Sequence, residues 1–209
     1  MKKKFMLVLL VLSVALLGLQ ARDSFGTVGG MFSSMSQKMS IDDSSSIKAT
    51  ISLAGVEVSA YSFENEFVSS GMFVQGAFLF PNKFTVSSGG SSISFKTSDL
   101  FDSAFVLNLL AGYAHRWAFT SEADMLLGVG ANLKFESIKV GSDSETSTAL
   151  GIGANIAVRY MINPQIAIHG GVGADVGLVK LSGESSGADI ATSSVPYSIS
   201  PFLALGFSF

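Results

Sequence analysis

Hydrophobic and polar positions alternate with a period of two along most of this chain. In residues 149–162 one row holds Leu150, Ile152, Ala154, Ile156, Val158 and Tyr160, and the other holds Gly151, Gly153, Asn155, Ala157, Arg159 and Met161. Successive side chains of a strand point to opposite faces, so this pattern predicts a strand with one apolar face. Residues 124–138 repeat it. Met125, Leu127, Val129, Leu133 and Phe135 oppose Asp124, Gly128, Asn132, Lys134 and Glu136, with Leu126 and Ile138 out of phase. In 166–180, Ile166, Ile168, Val172 and Leu178 oppose His169, Gly171, Asp175 and Gly177. Segments 67–80, 101–113 and 197–209 follow the same rule. Segment 47–63 shows a phase slip near Ala54-Gly55, which predicts a β-bulge there. Segment 24–37 is the least regular, because Gly29, Gly30 and several serines blur its phase.

The count is eight predicted strands, several of 13 residues or more. Strands of soluble proteins run to about 5–6 residues, whereas a membrane-crossing strand needs about 9–11. The connections sort by parity. Short turns are expected at Glu64–Glu66, at 116–122 and at Asn163–Gln165. Longer polar loops are expected at 38–46, 87–100, 141–147 and 184–195. A transmembrane barrel has short turns on one side and long loops on the other. The predicted fold class is all-β: a closed, antiparallel, up-and-down transmembrane β-barrel of eight strands. A secreted β-sandwich is the alternative architecture.

Aromatic residues gather toward the predicted strand ends. Tyr61, Phe67, Tyr113, Trp117 and Tyr160 sit by the short turns as expected interface aromatics. Phe78, Phe80, Phe84, Phe95, Phe101 and Phe135 lie toward the long loops. Opposite the apolar rows fall Lys134, Glu136, Asn155, Arg159, His169 and Asp175, which are expected to form a polar network in the lumen. Eight strands leave an interior that side chains nearly fill. The inward glycines, such as Gly128 and Gly153, are read as room for larger neighbours or for tight curvature.

The start of the chain has a different character. Lys2, Lys3 and Lys4 precede an uncharged run from Phe5 to Leu19, and Ala21 follows. This is the three-part pattern of a secretory signal peptide. The expected division is a cleaved signal at 1–21 and a barrel domain at 22–209.

Composition narrows the chemistry. The chain of 209 residues is 48% hydrophobic and 14% charged, with mean hydropathy +0.48. No run of 18 apolar residues follows the leader, so the apolar residues are dispersed. The absence of cysteine excludes disulfides, thiolate catalysis and Cys-ligated metals. A net charge of −3, more negative once three leader lysines are removed, supplies no basic field for nucleic acid. No metal-ligand motif or cofactor fingerprint is present, so no cofactor and no metal are expected. Only His115 and His169 are available as bases, and both are expected near the short turns rather than the outer rim. An enzyme is therefore not expected.

The ending Tyr197-Ser-Ile-Ser-Pro-Phe-Leu-Ala-Leu-Gly-Phe-Ser-Phe209 resembles the C-terminal signal of bacterial outer-membrane proteins, a terminal aromatic preceded by alternating apolar residues. Leu203, Leu205, Phe207 and Phe209 match it. Pro201 departs from it and predicts a bulge or a locally unpaired position. The chain as a whole resembles the small eight-stranded OmpA/OmpW-like barrels. That resemblance implies the outer membrane as location, its lipid as surroundings, and the barrel-assembly machinery as a partner in biogenesis. Three functions remain open: a structural or surface-interaction role through long extracellular loops with an extracellular ligand; a narrow channel or conduit for small or hydrophobic solutes; and a lipid-modifying enzyme.

Overall fold

A strand crossing lipid must pair every backbone amide within the protein, and a sheet closed on itself does so without edges. The computed structural model, which describes residues 23–42, 45–64, 69–141, 143–182 and 196–208, has this closure. Its strands are β1 (Asp23–Asp42), β2 (Ser45–Phe63), β3 (Ser70–Ser88), β4 (Ser91–Lys96), β5 (Ser103–Ala118), β6 (Ala123–Val140), β7 (Asp143–Asn163), β8 (Ile166–Ser182) and β9 (Tyr197–Ser208). Eight of them form a ring in the order β1-β2-β3-β5-β6-β7-β8-β9 and back to β1, every neighbour antiparallel. The leader at 1–21, Phe67 and Phe209 lie outside the described residues.

The expected eight strands are thus the ring, and β4 is a ninth outside it. Residues 87–100, expected as a loop, form a hairpin instead. Gly89 and Gly90 turn with φ of 56° and 85°, and β4 pairs back onto β3. The expected loops at 38–46 and 141–147 are likewise mostly strand, because β1 runs to Asp42, β2 starts at Ser45, β6 runs to Val140 and β7 starts at Asp143. These stretches are rich in Ser, Thr and Lys. Beyond the hydrocarbon a strand needs no apolar face, so polar residues continue the ladder there. The loop at 184–195 lies outside the described residues. On the opposite side the turns are short. Asn163 closes one of them, its Oδ1 accepting from the amides of Gln165 and Ile166 at 2.9 Å each.

The apolar rows face outward. Phe32, Val56, Met72, Ile152, Val158, Leu178 and Leu203 are all exposed, with Leu203 at 66%. Buried charges and amides occupy the opposite parity. A charge on the lipid face would cost about 2–4 kcal/mol near the midplane.

The phase slip expected in β2 is not there. β2 stays in continuous register with β1, and its odd positions face inward throughout. The irregularity sits in β3. Ser52 pairs with Lys83 and Leu53 with Pro81, so Asn82 is an extra residue. β2 read as slipped because its inward face is mixed: Leu53, then Glu57 and Ser59, then Tyr61 and Phe63. Leu126, out of phase in the alternation, is fully buried in the interior for the same reason. Pro201 pairs in register with Val172 on β8, while the ladder to β1 breaks between Phe202 and Ile199. Proline has no amide to donate, and a local gap in pairing on that side results.

Inward glycines make room for the filled interior. A Cβ on Gly128 would lie 2.6 Å from Asn155 Oδ1 and 2.7 Å from the Phe73 ring. Gly128→Ala is expected to cost about 1–3 kcal/mol by overpacking, read as a lower urea midpoint for the folded barrel.

Candidate functional site in the barrel interior

Three layers fill the interior. The first lies by the short turns. Phe25 stacks on Tyr61 at 4.9 Å between ring centroids, and Tyr61 on Phe73 at 5.7 Å. The Arg159 guanidinium sits 4.1 Å above the Phe25 ring, and Arg116 sits 4.4 Å above Phe63. Each arginine also holds a carboxylate. Arg159 donates through Nε to both Asp124 oxygens, at 3.2 and 3.1 Å, and through Nη2 to one of them. Arg116 pairs with Asp23. The guanidinium plane suits this double use, since its edge forks onto a carboxylate while its face covers a ring. Phe63, Leu110, Ala114 and Leu126 complete an apolar plug.

Alternation explains why these side chains meet. Asp124 and Leu126 open β6, Arg159 closes β7, Phe25 opens β1, and Tyr61 and Phe63 close β2, all at inward positions near the same end. His169 faces Arg159 across β7 and β8 and stands edge-on to Tyr61, 5.5 Å away. It is fully buried against Phe25 and Phe202 and bonds no carboxylate among the described residues.

The second layer is a polar girdle around Glu57. Its Oε1 accepts from the Thr27 hydroxyl at 3.1 Å and its Oε2 from Gln75 Nε2 at 3.3 Å. Gln75 Oε1 in turn accepts from Asn155 Nδ2 at 3.2 Å, and Thr27 shares a hydroxyl bond with Ser59. The third layer is nearer the other end. Lys134 donates to Asp175 at 2.7 Å, and Asn108 and Ser198 also donate to that carboxylate. Glu136 accepts from Ser147 at 3.4 Å.

The polar residues read from the sequence therefore share the interior without forming one network. Lys134 meets Asp175, Arg159 takes Asp124, Asn155 joins Gln75, Glu136 bonds Ser147, and His169 packs among rings. Sequence reasoning missed Glu57, Gln75, Arg116 and Asp23. Glu57 and Ser59 alternate with Val56 and Val58, a signal that the supposed phase slip hid. Between the second and third layers lies a cavity of about 20 Å³ lined by Gln75, Asn108, Leu110, Asp175 and Ser200. That is room for about one water molecule.

Among the aromatics expected at the interface, Tyr113, Trp117 and Tyr160 are exposed on the outer surface by the short turns. Trp117 packs against His115 at 4.3 Å, and the Tyr113 hydroxyl bonds Ser70 at 2.9 Å. Tyr61 is a correction. Its odd position in β2 turns it into the plug, where it is fully buried. Leu203, Leu205 and Phe207 point outward on β9.

Asp124→Ala would leave the Arg159 charge buried without its partner, at an expected cost of about 3–5 kcal/mol. Replacing both, as Asp124→Leu with Arg159→Met, is expected to recover most of that loss. Denaturant midpoints of the three proteins in detergent check this.

No protein-family model and no curated protein sequence matches the chain. Solved structures do resemble it. Neisserial surface protein A superposes with a TM-score of 0.58 at 13% identity, over 89% of this chain and 97% of that one. The outer membrane protein OprG from Pseudomonas aeruginosa gives 0.54 at 12% identity, over 90% and 97%. Ail, the attachment invasion locus protein of Yersinia pestis, gives 0.52 at 12% identity, over 91% and 100%. At such identities the likeness concerns architecture alone: this chain has the fold of the small eight-stranded outer-membrane barrels.

Proposed function

We propose that this protein is an integral outer-membrane barrel with a sealed interior, whose working surface is the sheet projecting beyond the outer apolar edge. The observation that carries this reading is the filled interior: an aromatic plug capped by two arginine–carboxylate pairs, and a cavity with room for about one water. A lumen in this state serves stability. It supports a structural or surface-interaction role over a conduit for solutes.

The outer-membrane location rests on the outward apolar band, the leader pattern at 1–21 and the alternating end of β9. Leu203, Leu205 and Phe207 present the row that the barrel-assembly machinery would read, with Phe209 completing it. Asp23 and Ser208 lie at the short-turn end, which is then periplasmic, and the β1–β2 and β3–β4 hairpins project outward from the cell. Two of the structures with this fold come from proteins named for a surface location and for attachment, which agrees with a role at the exposed face. The working surface differs from flexible loops. Strand pairing continues into it, so it presents fixed side-chain rows to an extracellular ligand.

Two measurements test the reading. The folded protein should resist SDS and change its gel migration on boiling. In planar bilayers it should show no discrete conductance steps at any salt concentration. The paired variant Tyr61→Ala/Phe73→Ala, which thins the plug, should begin to conduct. Steps from the unaltered protein would overturn the sealed-interior reading.

A further inference from the structure

The girdle around Glu57 differs in chemistry from the layers on either side. Neighbouring strands bring most of it together: Thr27 of β1 pairs with Ser59 of β2, and Ser59 with Gln75 of β3. Asn155 reaches the same level from β7, which does not pair with any of these strands. Glu57, Ser59 and Tyr61 alternate along the inward face of β2. The contacts close a polar circuit. Glu57 accepts from Thr27 at 3.1 Å, and Thr27 meets Ser59 at 2.5 Å. Tyr61 Oη lies beside Ser59 and Asn155. Asn155 donates to Gln75 at 3.2 Å, and Gln75 returns to Glu57 at 3.3 Å. No member is more than 5% exposed.

Arg159 with Asp124, Arg116 with Asp23, and Lys134 with Asp175 pair one to one, whereas Glu57 has no ion pair among the described residues. A buried carboxylate without a counter-charge is strongly disfavoured. The amide orientations show what else is missing. An ionised carboxylate only accepts, so Gln75 turns Nε2 toward Glu57 and Oε1 toward Asn155. Asn155 then presents Nδ2 to Gln75, which leaves its Oδ1 as an acceptor elsewhere. Asn155 Oδ1 and Tyr61 Oη are both buried and reach no partner at hydrogen-bond geometry. The circuit therefore holds one uncompensated negative charge and two oxygens short of a partner. A proton on Glu57 answers the charge alone, because one hydrogen serves one acceptor. A cation answers both, because it gathers several oxygens at once.

We propose that this circuit is a binding site for a single sodium ion, held by the Glu57 carboxylate with Thr27 Oγ1, Ser59 Oγ, Tyr61 Oη and Asn155 Oδ1. The ligands are oxygens only, which selects a hard cation. One carboxylate among neutral oxygens balances one positive charge, which selects an alkali ion over calcium or magnesium. The circuit is drawn tight, with Thr27 and Ser59 at 2.5 Å, so it closes on sodium rather than on the larger potassium. Gly128 leaves the free oxygen its position, since a Cβ there would lie 2.6 Å from Asn155 Oδ1. The cavity with room for about one water shares Gln75 with the circuit, so a hydration water has a place beside the ion. Bound sodium ties β7 to β1 and β2, strands that the ladder does not join. The site belongs to the interior and does not depend on what the outer surface binds.

The test is unfolding of the full-length protein in a zwitterionic detergent, with sodium chloride replacing choline chloride at constant ionic strength. Sodium should stabilise the barrel saturably. The unfolding constant should fall about a hundredfold once sodium reaches about a hundred times its dissociation constant. Potassium at equal concentration should give a smaller effect. Glu57→Gln, which keeps the side-chain shape without the charge, should lose the sodium response. Tyr61→Phe, which removes one oxygen, should raise the half-saturating sodium concentration about tenfold. Glu136→Gln, outside the circuit, should respond as the unaltered protein does. Equal stabilisation by sodium and choline, or by sodium and potassium, overturns the proposal. So does a sodium response that survives in folded Glu57→Gln. Where Glu57→Gln does not fold, Tyr61→Phe decides, and an unchanged half-saturating concentration overturns the site. Stabilisation by acid that is equal in choline and sodium also overturns it, and makes the occupant a proton.

Discussion

Closure of the backbone hydrogen-bond ladder is the constraint from which the rest of this structure follows. Hydrocarbon offers no partner to an amide, so the eight ring strands satisfy one another. Once the ring is closed, each strand has one row in lipid and one row inside. The outer row is restricted to apolar side chains. The inner row is free to carry what lipid forbids, but it must solve its own electrostatics in a space too small for much water.

The interior solves that problem locally. Arg159 with Asp124, Arg116 with Asp23, and Lys134 with Asp175 each neutralise within one contact. Both arginines cover aromatic rings as well, so the same groups that balance charge also fill volume. Pairing of this kind repays desolvation only when the remaining donors and acceptors are satisfied. Asp175 meets that condition through Asn108 and Ser198, and Asp124 through the forked guanidinium. Among the described residues Glu57 has no ion pair and relies on Thr27 and Gln75.

The barrel was legible in the sequence because lipid imposes one strict rule on half of the positions. Ile152, Ile156 and Val158 had to be apolar, and they show a clean period of two. The interior obeys no such rule. Tyr61 and Leu126 point inward as readily as Asp175, so the sequence left their side undecided, and Tyr61 was placed on the wrong surface. The polar stretches beyond the membrane misled in another way. Serine, threonine and lysine read as loop, yet in β1 to β4 they sit in paired strands whose outward row is polar. Alternation was present there too, but with polarity reversed, and a search for apolar rows passes over it.

In β3 that reversal depends on one residue. Inside the membrane the even positions of β3 face outward, with Phe78 and Phe80 among them. Without the extra residue Asn82, Lys83 would face the interior and Phe84 outward, since a slip of one flips every later side chain. The bulge puts Lys83, Thr85 and Ser87 outward and turns Phe84 to pair with Ile51 and Phe95 on the inner side. Pro81, which has no amide to donate, sits at the irregularity where a ladder bond is already lost. The extension is therefore the same sheet with apolar side chains toward the axis and lysine and hydroxyl side chains outward. A single insertion at the edge of the hydrocarbon lets one continuous strand meet two solvents, each with the face that solvent requires.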